Sequence, residues 1–136
     1  MKYSWAILGI TVVVAAVGYG RYHQYPLPNP SAQRQRAQCV RLFVTRPSQS
    51  RTVTFLKNQA ISYNQLSNSE IFEGNTATDF QRQHQKEVGS EIAFRIADIQ
   101  KPLCGRSDAL FVVSFDHHGQ LLKVEDMDSN FGCLDF

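Results

Sequence analysis

The 136-residue sequence predicts an α+β domain with one antiparallel sheet of about four or five strands and a single packed helix, preceded by an N-terminal hydrophobic helix. Three observations lead to this prediction. Short β-rich runs are separated by turn residues, one helix-capping motif precedes a helical stretch, and an uncharged apolar run follows the first two residues. About 110 residues remain after that run, which suits one domain.

The apolar run extends from Tyr3 to Gly20 and contains no charged residue. As an α-helix it would be about 27 Å long, slightly shorter than the ~30 Å hydrocarbon core of a bilayer. Tyr3 and Trp5 at one end, and Tyr19 and Tyr22 at the other, are placed as membrane-interface anchors. We therefore interpret residues 1–22 as a signal anchor. A cleaved signal peptide ending near Ala16-Val17-Gly18 and a buried core helix are the alternatives.

Two sequence signals disagree on the orientation of this segment in the membrane. Lys2 precedes the run, whereas Arg21, Arg34 and Arg36 follow it, and this distribution favours a cytoplasmic body. A very short N-terminal tail commonly stays inside, and the cysteines suit an oxidising compartment. We expect a single-pass membrane protein whose C-terminal domain is periplasmic. The alternative is secretion after signal cleavage.

Charge is divided along the chain. No acidic residue precedes Glu70, and eight basic residues give this part a charge of +8. From Glu70 onward, six basic and twelve acidic residues give −6. Basic and acidic strands could neutralise each other, or the basic segment could contact anionic lipid. Nucleic acid is a weaker alternative because no known binding motif accompanies the basic residues.

Residues 23–38 are rich in Pro, Gln and Arg and are predicted to be a linker, followed by the domain at 39–136. Ser31–Gln38 could instead form a frayed helix. Alternating residues around Val40, Leu42 and Val44, and a second β-rich run at Thr52–Leu56, predict an antiparallel hairpin. The next segment, Lys57–Thr76, is predicted to be a loop with one short strand.

The Thr78-x-x-Gln81 capping box predicts a helix over Asp79–Val88, ended by Gly89 in the left-handed conformation. Ile92, Phe94 and Ile96 then alternate with smaller or charged residues, as in a half-buried strand. Two further strands flank Gly119, which can adopt the positive φ of a hairpin turn. The first of them, Ala109–Phe115, is apolar on both faces and should be central in the sheet.

The three cysteines are Cys39, Cys104 and Cys133. Cys104 and Cys133 flank the last hairpin, so a disulfide between them is geometrically plausible. Pairing of Cys39 with either of them, and three buried thiols, are the alternatives.

No motif for a cofactor, a metal site or nucleophilic catalysis is present, so neither a cofactor nor a bound metal is expected. Glu125, Asp126 and Asp128 could at most form a weak surface cation site. We therefore expect a non-catalytic envelope binding module of the inhibitor, immunity or assembly-accessory type. It would be tethered to or exported across a membrane and would contact a protein or peptidoglycan-related partner through Lys57–Thr76.

Two other functions are considered. The first is a small hydrolase that uses His84, His117 or His118 with a nearby acid. The second is a cytoplasm-facing anchored protein whose basic segment contacts anionic lipid or nucleic acid.

Overall fold

The computed structural model describes residues 30–100 and 106–130, which form four helices and four strands. In chain order these are α1 (Pro30–Val44), α2 (Gln49–Asn58), β1 (Tyr63–Ser67), α3 (Asn68–Glu73), α4 (Asp79–Gln83), β2 (Val88–Gln100), β3 (Arg106–Asp116) and β4 (Leu121–Asn130). The strands form one antiparallel sheet in the order β1-β2-β3-β4. The prediction of an α+β fold with a four-stranded antiparallel sheet is therefore confirmed.

The predicted N-terminal helix, residues 1–22, lies outside the described residues, as do its proposed interface anchors Tyr3, Trp5, Tyr19 and Tyr22. Within residues 30–100 and 106–130, none of the helices combines the length and the hydropathy that a membrane crossing requires.

The register of β2 and β3 explains the alternation in their sequences. Ile92 lies opposite Val113, and Phe94 lies opposite Phe111, so these side chains share one face of the sheet. All four are nearly inaccessible to solvent. Because β3 also pairs with β4, it is an internal strand, as its apolar sequence predicts.

Helices α1 and α2 cover this face of the sheet. Cys39 and Phe43 of α1 and Leu56 of α2 are buried against it. The Phe43 ring lies 6.2 Å from that of Phe94 and 6.0 Å from that of Phe111, measured between centroids. These contacts form the main hydrophobic core between the helices and the sheet.

The prediction of a first hairpin at Val40–Val44 and Thr52–Leu56 is wrong, because both runs are helical. Residues 31–38 belong to α1, so the helical alternative for that segment is the observed one. The Ser48 side chain begins α2 by accepting a hydrogen bond from the Arg51 backbone N–H at 3.3 Å. A single packed helix is likewise wrong, since α1 and α2 together form a layer.

The short helices α3 and α4 lie on the other side of the sheet. Ile71 of α3 and Ala77 are buried with Val88 in a second apolar cluster. The predicted capping box is confirmed, because Thr78 and Gln81 exchange the two expected hydrogen bonds. The predicted helix over Asp79–Val88 is too long, since α4 ends at Gln83 and Val88 starts β2.

Gly119 and Gly89 are required for different structural reasons. Gly119 has a φ of +75° in the β3–β4 turn, as predicted. The Asp116 side chain supports this turn by accepting hydrogen bonds from the backbone N–H groups of Gln120 and His118, each at 2.8 Å, and these bonds lower the Asp116 pKa. Gly89 does not end a helix. It lies in β2, where its Cα approaches the backbone of Asp116 and His117 too closely for a side chain.

Candidate binding groove

Helix α1 lies on the face of the sheet and runs antiparallel to strand β4, with one flank toward it. Arg36 contacts the Asp126 carboxylate at 2.9 Å, and Arg46 donates to the Leu121 carbonyl oxygen at 2.9 Å. From Arg36 to the end of α1 at Val44 the helix rises about 12 Å, with Arg46 two residues beyond it, and from Leu121 to Asp126 the strand rises about 17 Å. One flank of α1 therefore faces β4, while the helix itself packs on the sheet over β2 and β3.

A groove of about 560 Å³ lies between these two elements, and we call it the α1–β4 groove. Val40 and Val44, one helical turn apart, form its helical wall, and they are 44% and 78% exposed. Phe43 and Phe111 also line it, together with the first residues of β4. Exposed valines next to a buried aromatic pair make this an apolar surface open to solvent.

The strand beside the groove is an edge strand. In the part of the chain that the structure describes, β4 pairs with β3 and with no other strand. An edge strand has backbone N–H and C=O groups that can pair with an added strand. The groove therefore combines hydrogen-bonding backbone with an apolar wall.

A buried polar cluster lies under α4, on the opposite face of the sheet. The Gln81 amide, which is fully buried, donates to the Glu91 carboxylate and to Ser114 Oγ. Thr78 Oγ1 donates to Glu125 at 2.7 Å. Burial raises the pKa of Glu91, the Gln81 hydrogen bond partly opposes that shift, and the charge of Glu125 adds to it.

Paired carboxylates can act in acid–base catalysis, but Glu91 and Glu125 are not both open to a substrate as a reaction site requires. Glu91 is only 5% exposed and is covered by α4 through Gln81. Both polar groups of the Gln81 side chain are hydrogen-bonded, because its nitrogen donates to Glu91 and Ser114 and its oxygen accepts from the Thr78 backbone N–H. The arrangement attaches α4 to the sheet and leaves the Glu91 carboxylate little access to a substrate.

The three histidines of the hydrolase hypothesis occupy two neighbouring loops. His84 follows α4, where its ring stacks on Phe80 at 4.4 Å and its Nδ1 lies 3.3 Å from Glu87. In the β3–β4 turn, His117 Nε2 contacts the Lys86 carbonyl oxygen at 3.0 Å, and His118 is exposed. Each of the three lies near a carboxylate, His84 near Glu87 and the other two near Asp116. Nothing in the described structure tests a reaction at either loop, so the hydrolase alternative stays a hypothesis.

Where the structure describes side chains, residues 30–97 and 108–127, no group of three or more His, Cys, Asp or Glu is placed to hold a metal ion. Glu125 bonds to Thr78, whereas Asp126 pairs with Arg36. Because neighbouring residues of a strand point to opposite faces, these two acids do not lie together, and the side chain of Asp128, the third residue considered above, lies outside the described part of the structure.

Cys39 is a free thiol in the core of the α1–α2 layer, and burial raises its pKa to about 11. It is therefore neither a disulfide partner nor a reactive nucleophile in this structure. The predicted disulfide residues Cys104 and Cys133 lie outside the described residues, so their pairing stays a prediction.

The segment predicted to contact a partner, Lys57–Thr76, contains the end of α2, strand β1 and helix α3. Strand β1 is the edge of the sheet opposite to β4. The α1–β4 groove was missed because Val40 and Val44 were assigned to a strand. The helical spacing of Cys39 with Phe43, and of Val40 with Val44, is the signal that could have located it.

The described chain is thus an α+β domain with an apolar groove at one sheet edge. No protein-family model, no curated protein and no solved structure matches it.

Proposed function

We propose that this protein is a non-catalytic binding module of the cell envelope, and that its α1–β4 groove receives an extended segment of another protein. The observation that carries this proposal is the apolar wall of Val40 and Val44 beside the edge of β4 that pairs with no other strand of the described residues. An extended segment added to a sheet edge gains backbone hydrogen bonds, and its alternate side chains enter adjacent pockets. This geometry suits a peptide better than a small polar molecule.

The groove also indicates which peptide sequences would fit. Strand β4 has ten residues, so an added segment of similar length would lie along about 34 Å. Alternate side chains of that segment would face Val40, Phe43 and Val44 and should be apolar. Arg46 is exposed at one end of the groove, whereas Asp126 at the other end is paired with Arg36. We therefore expect an acidic side chain near Arg46.

The test uses a photo-crosslinking phenylalanine analogue placed in the full-length protein in cells. At Val44 it should crosslink to one partner segment with an alternating apolar pattern. At Thr54, an exposed position on the outer side of α2, it should not. Equal crosslinking from both positions, or crosslinked segments without an alternating pattern, would contradict the proposal.

The affinity of the identified segment is then measured with matched variants. Val44→Asp should weaken binding about tenfold or more, as expected for a central interface residue, because it places a carboxylate against the apolar wall. Thr54→Asp makes the same change in charge away from the groove and should leave the affinity unchanged. Replacing His84, His117 and His118 by alanine should also leave it unchanged, whereas loss of binding in that variant would contradict the proposed site.

A further inference from the structure

The outer surface of the α1–α2 layer is a second, chemically different surface. Residues 30–58 include six basic and no acidic residues. Arg34, Arg41, Arg51 and Lys57 are exposed, and we call these four the basic face. Arg41 lies two residues from both Cys39 and Phe43, so it is on the side of α1 that points away from the sheet.

The two helices present these residues together. The Gln35 side chain of α1 donates to the Gln59 backbone oxygen at the end of α2, at 3.3 Å. A short loop joins the other ends, so α1 and α2 are an antiparallel pair on the same face of the sheet. Their outer sides therefore form one continuous surface.

The acidic second half of the chain leaves this surface largely unneutralised. In the described ranges, no carboxylate pairs with a member of the basic face, while Arg36 pairs with Asp126 at the groove. Four exposed acids lie on the opposite side of the sheet, in or next to α3 and α4: Glu70, Glu73, Asp79 and Glu87. These four acids and the basic face thus lie on opposite sides of the sheet, and the α3–α4 side also carries basic residues of its own, such as Arg82, which pairs with Asp79. The four acids therefore do not neutralise the basic face.

We propose that the basic face docks on anionic lipid head groups. A broad, exposed set of basic residues on two helices suits a surface of many separate negative charges. The apolar run Tyr3–Gly20 ends ten residues before Pro30, so an embedded run would keep the start of α1 within about 36 Å of the head groups. The membrane is thereby the anionic surface nearest to this face. The α1–β4 groove lies on the flank of α1 and stays accessible.

The experiment uses the full-length chain in nanodiscs whose lipids carry a spin label at the head group. Paramagnetic broadening of backbone amide signals then reports distance from the lipid surface. In nanodiscs with anionic lipid, amides of α1 and α2 should broaden more than those of α3 and α4. This difference should disappear in neutral lipid, and also at high salt, because the attraction is electrostatic.

Two variants with equal changes in charge provide the control. Replacing Arg34, Arg41, Arg51 and Lys57 by Gln should weaken the docked state about a hundredfold or more, since each charge near an anionic surface contributes roughly fivefold. The control variant replaces four basic residues on the α3–α4 side by Gln: Arg82, Lys86, Arg95 and Lys123. It should retain the broadening pattern.

Three results would overturn the proposal. The first is equal broadening of both helical layers in anionic nanodiscs. The second is an equal loss of the docked state in the basic-face variant and in the control variant. The third is failure of the chain to associate with the anionic nanodiscs. The wild-type comparison between anionic and neutral lipid does not depend on the folding of any variant. Tighter binding of the basic face to duplex DNA than to the anionic nanodiscs would also overturn it, by assigning nucleic acid as the occupant.

Discussion

Glu91 is a carboxylate at an internal position of the sheet, where it contacts the buried amide of Gln81 and is only 5% exposed. Desolvation disfavours its charged form, so its pKa is raised above the ordinary value of 4.5. A carboxyl group whose pKa is higher in the folded than in the unfolded state stabilises the fold at low pH. That contribution is lost as the pH rises through the folded-state pKa.

Glu91→Gln should remove this dependence on pH. Because glutamine stays neutral, the melting temperature of the variant should rise relative to the wild type as the pH increases from 4 to 8. The measurement is thermal unfolding of both proteins at several pH values. Glu73→Gln changes the charge equally at an exposed position of α3, and its melting curve should follow that of the wild type. Parallel curves for Glu91→Gln and the wild type would contradict this explanation.

At the scale of the elements, the contact between β2 and the β3–β4 turn depends on the absence of a side chain at Gly89. A Cβ atom there would lie 2.7 Å from the Asp116 oxygen and from the His117 N and Cα atoms. These are backbone atoms, so a rotamer change cannot relieve the overlap. Gly89→Ala should therefore lower the free energy of unfolding by about 1–3 kcal/mol.

Urea unfolding followed by circular dichroism measures this loss. Ser90→Ala is the control in the next position, and it should change the free energy of unfolding by no more than about 0.5 kcal/mol. The hydroxyl of Ser90 is buried without a hydrogen-bond partner in the described structure, so its removal breaks no bond. An effect of Gly89→Ala as small as that of Ser90→Ala would show that the turn can move away.

The elements that were predicted correctly from the sequence are those whose local signals agree with their tertiary contacts. The alternation of Ile92, Phe94 and Ile96 reflects one buried face, and Gly119 occupies the positive-φ turn that it favours. The capping box at Thr78 located the start of α4 for the same reason. The end of α4 was missed because Val88 forms strand pairs with β3, a contact distant in sequence.

The second part of α1, Val40–Val44, and the middle of α2, Thr52–Leu56, were predicted as strands because Val, Thr and Phe favour β-structure locally. The pattern of buried residues favours helices instead. Cys39 and Phe43 are one helical turn apart and both face the core, as do Thr52 and Leu56 in α2. The α1–β4 groove could not be predicted without these helices, since it exists only where α1 lies beside the edge of the sheet.

At the scale of the whole molecule, the α1–α2 layer carries both proposed surfaces, so its attachment to the sheet controls both functions. Phe43 is the aromatic side chain that joins the layer to the Phe94–Phe111 pair, whose ring centroids are 5.0 Å apart. Phe43→Ala should lower the free energy of unfolding by about 3–5 kcal/mol, because it leaves a cavity between the layer and the sheet. This is a large part of the roughly 5–15 kcal/mol that stabilises a typical domain.

Val44→Ala, at the next residue, is the matched control. Val44 is 78% exposed, so its truncation should change the free energy of unfolding by no more than about 0.5 kcal/mol. Amide hydrogen exchange of the full-length protein distinguishes the two variants, because only Phe43→Ala should accelerate exchange throughout α1 and α2. Similar acceleration in both variants would mean that the layer is held through the groove wall and not through Phe43. In that case Val44 would be structural, and the loss of binding expected for Val44→Asp would no longer identify a partner site.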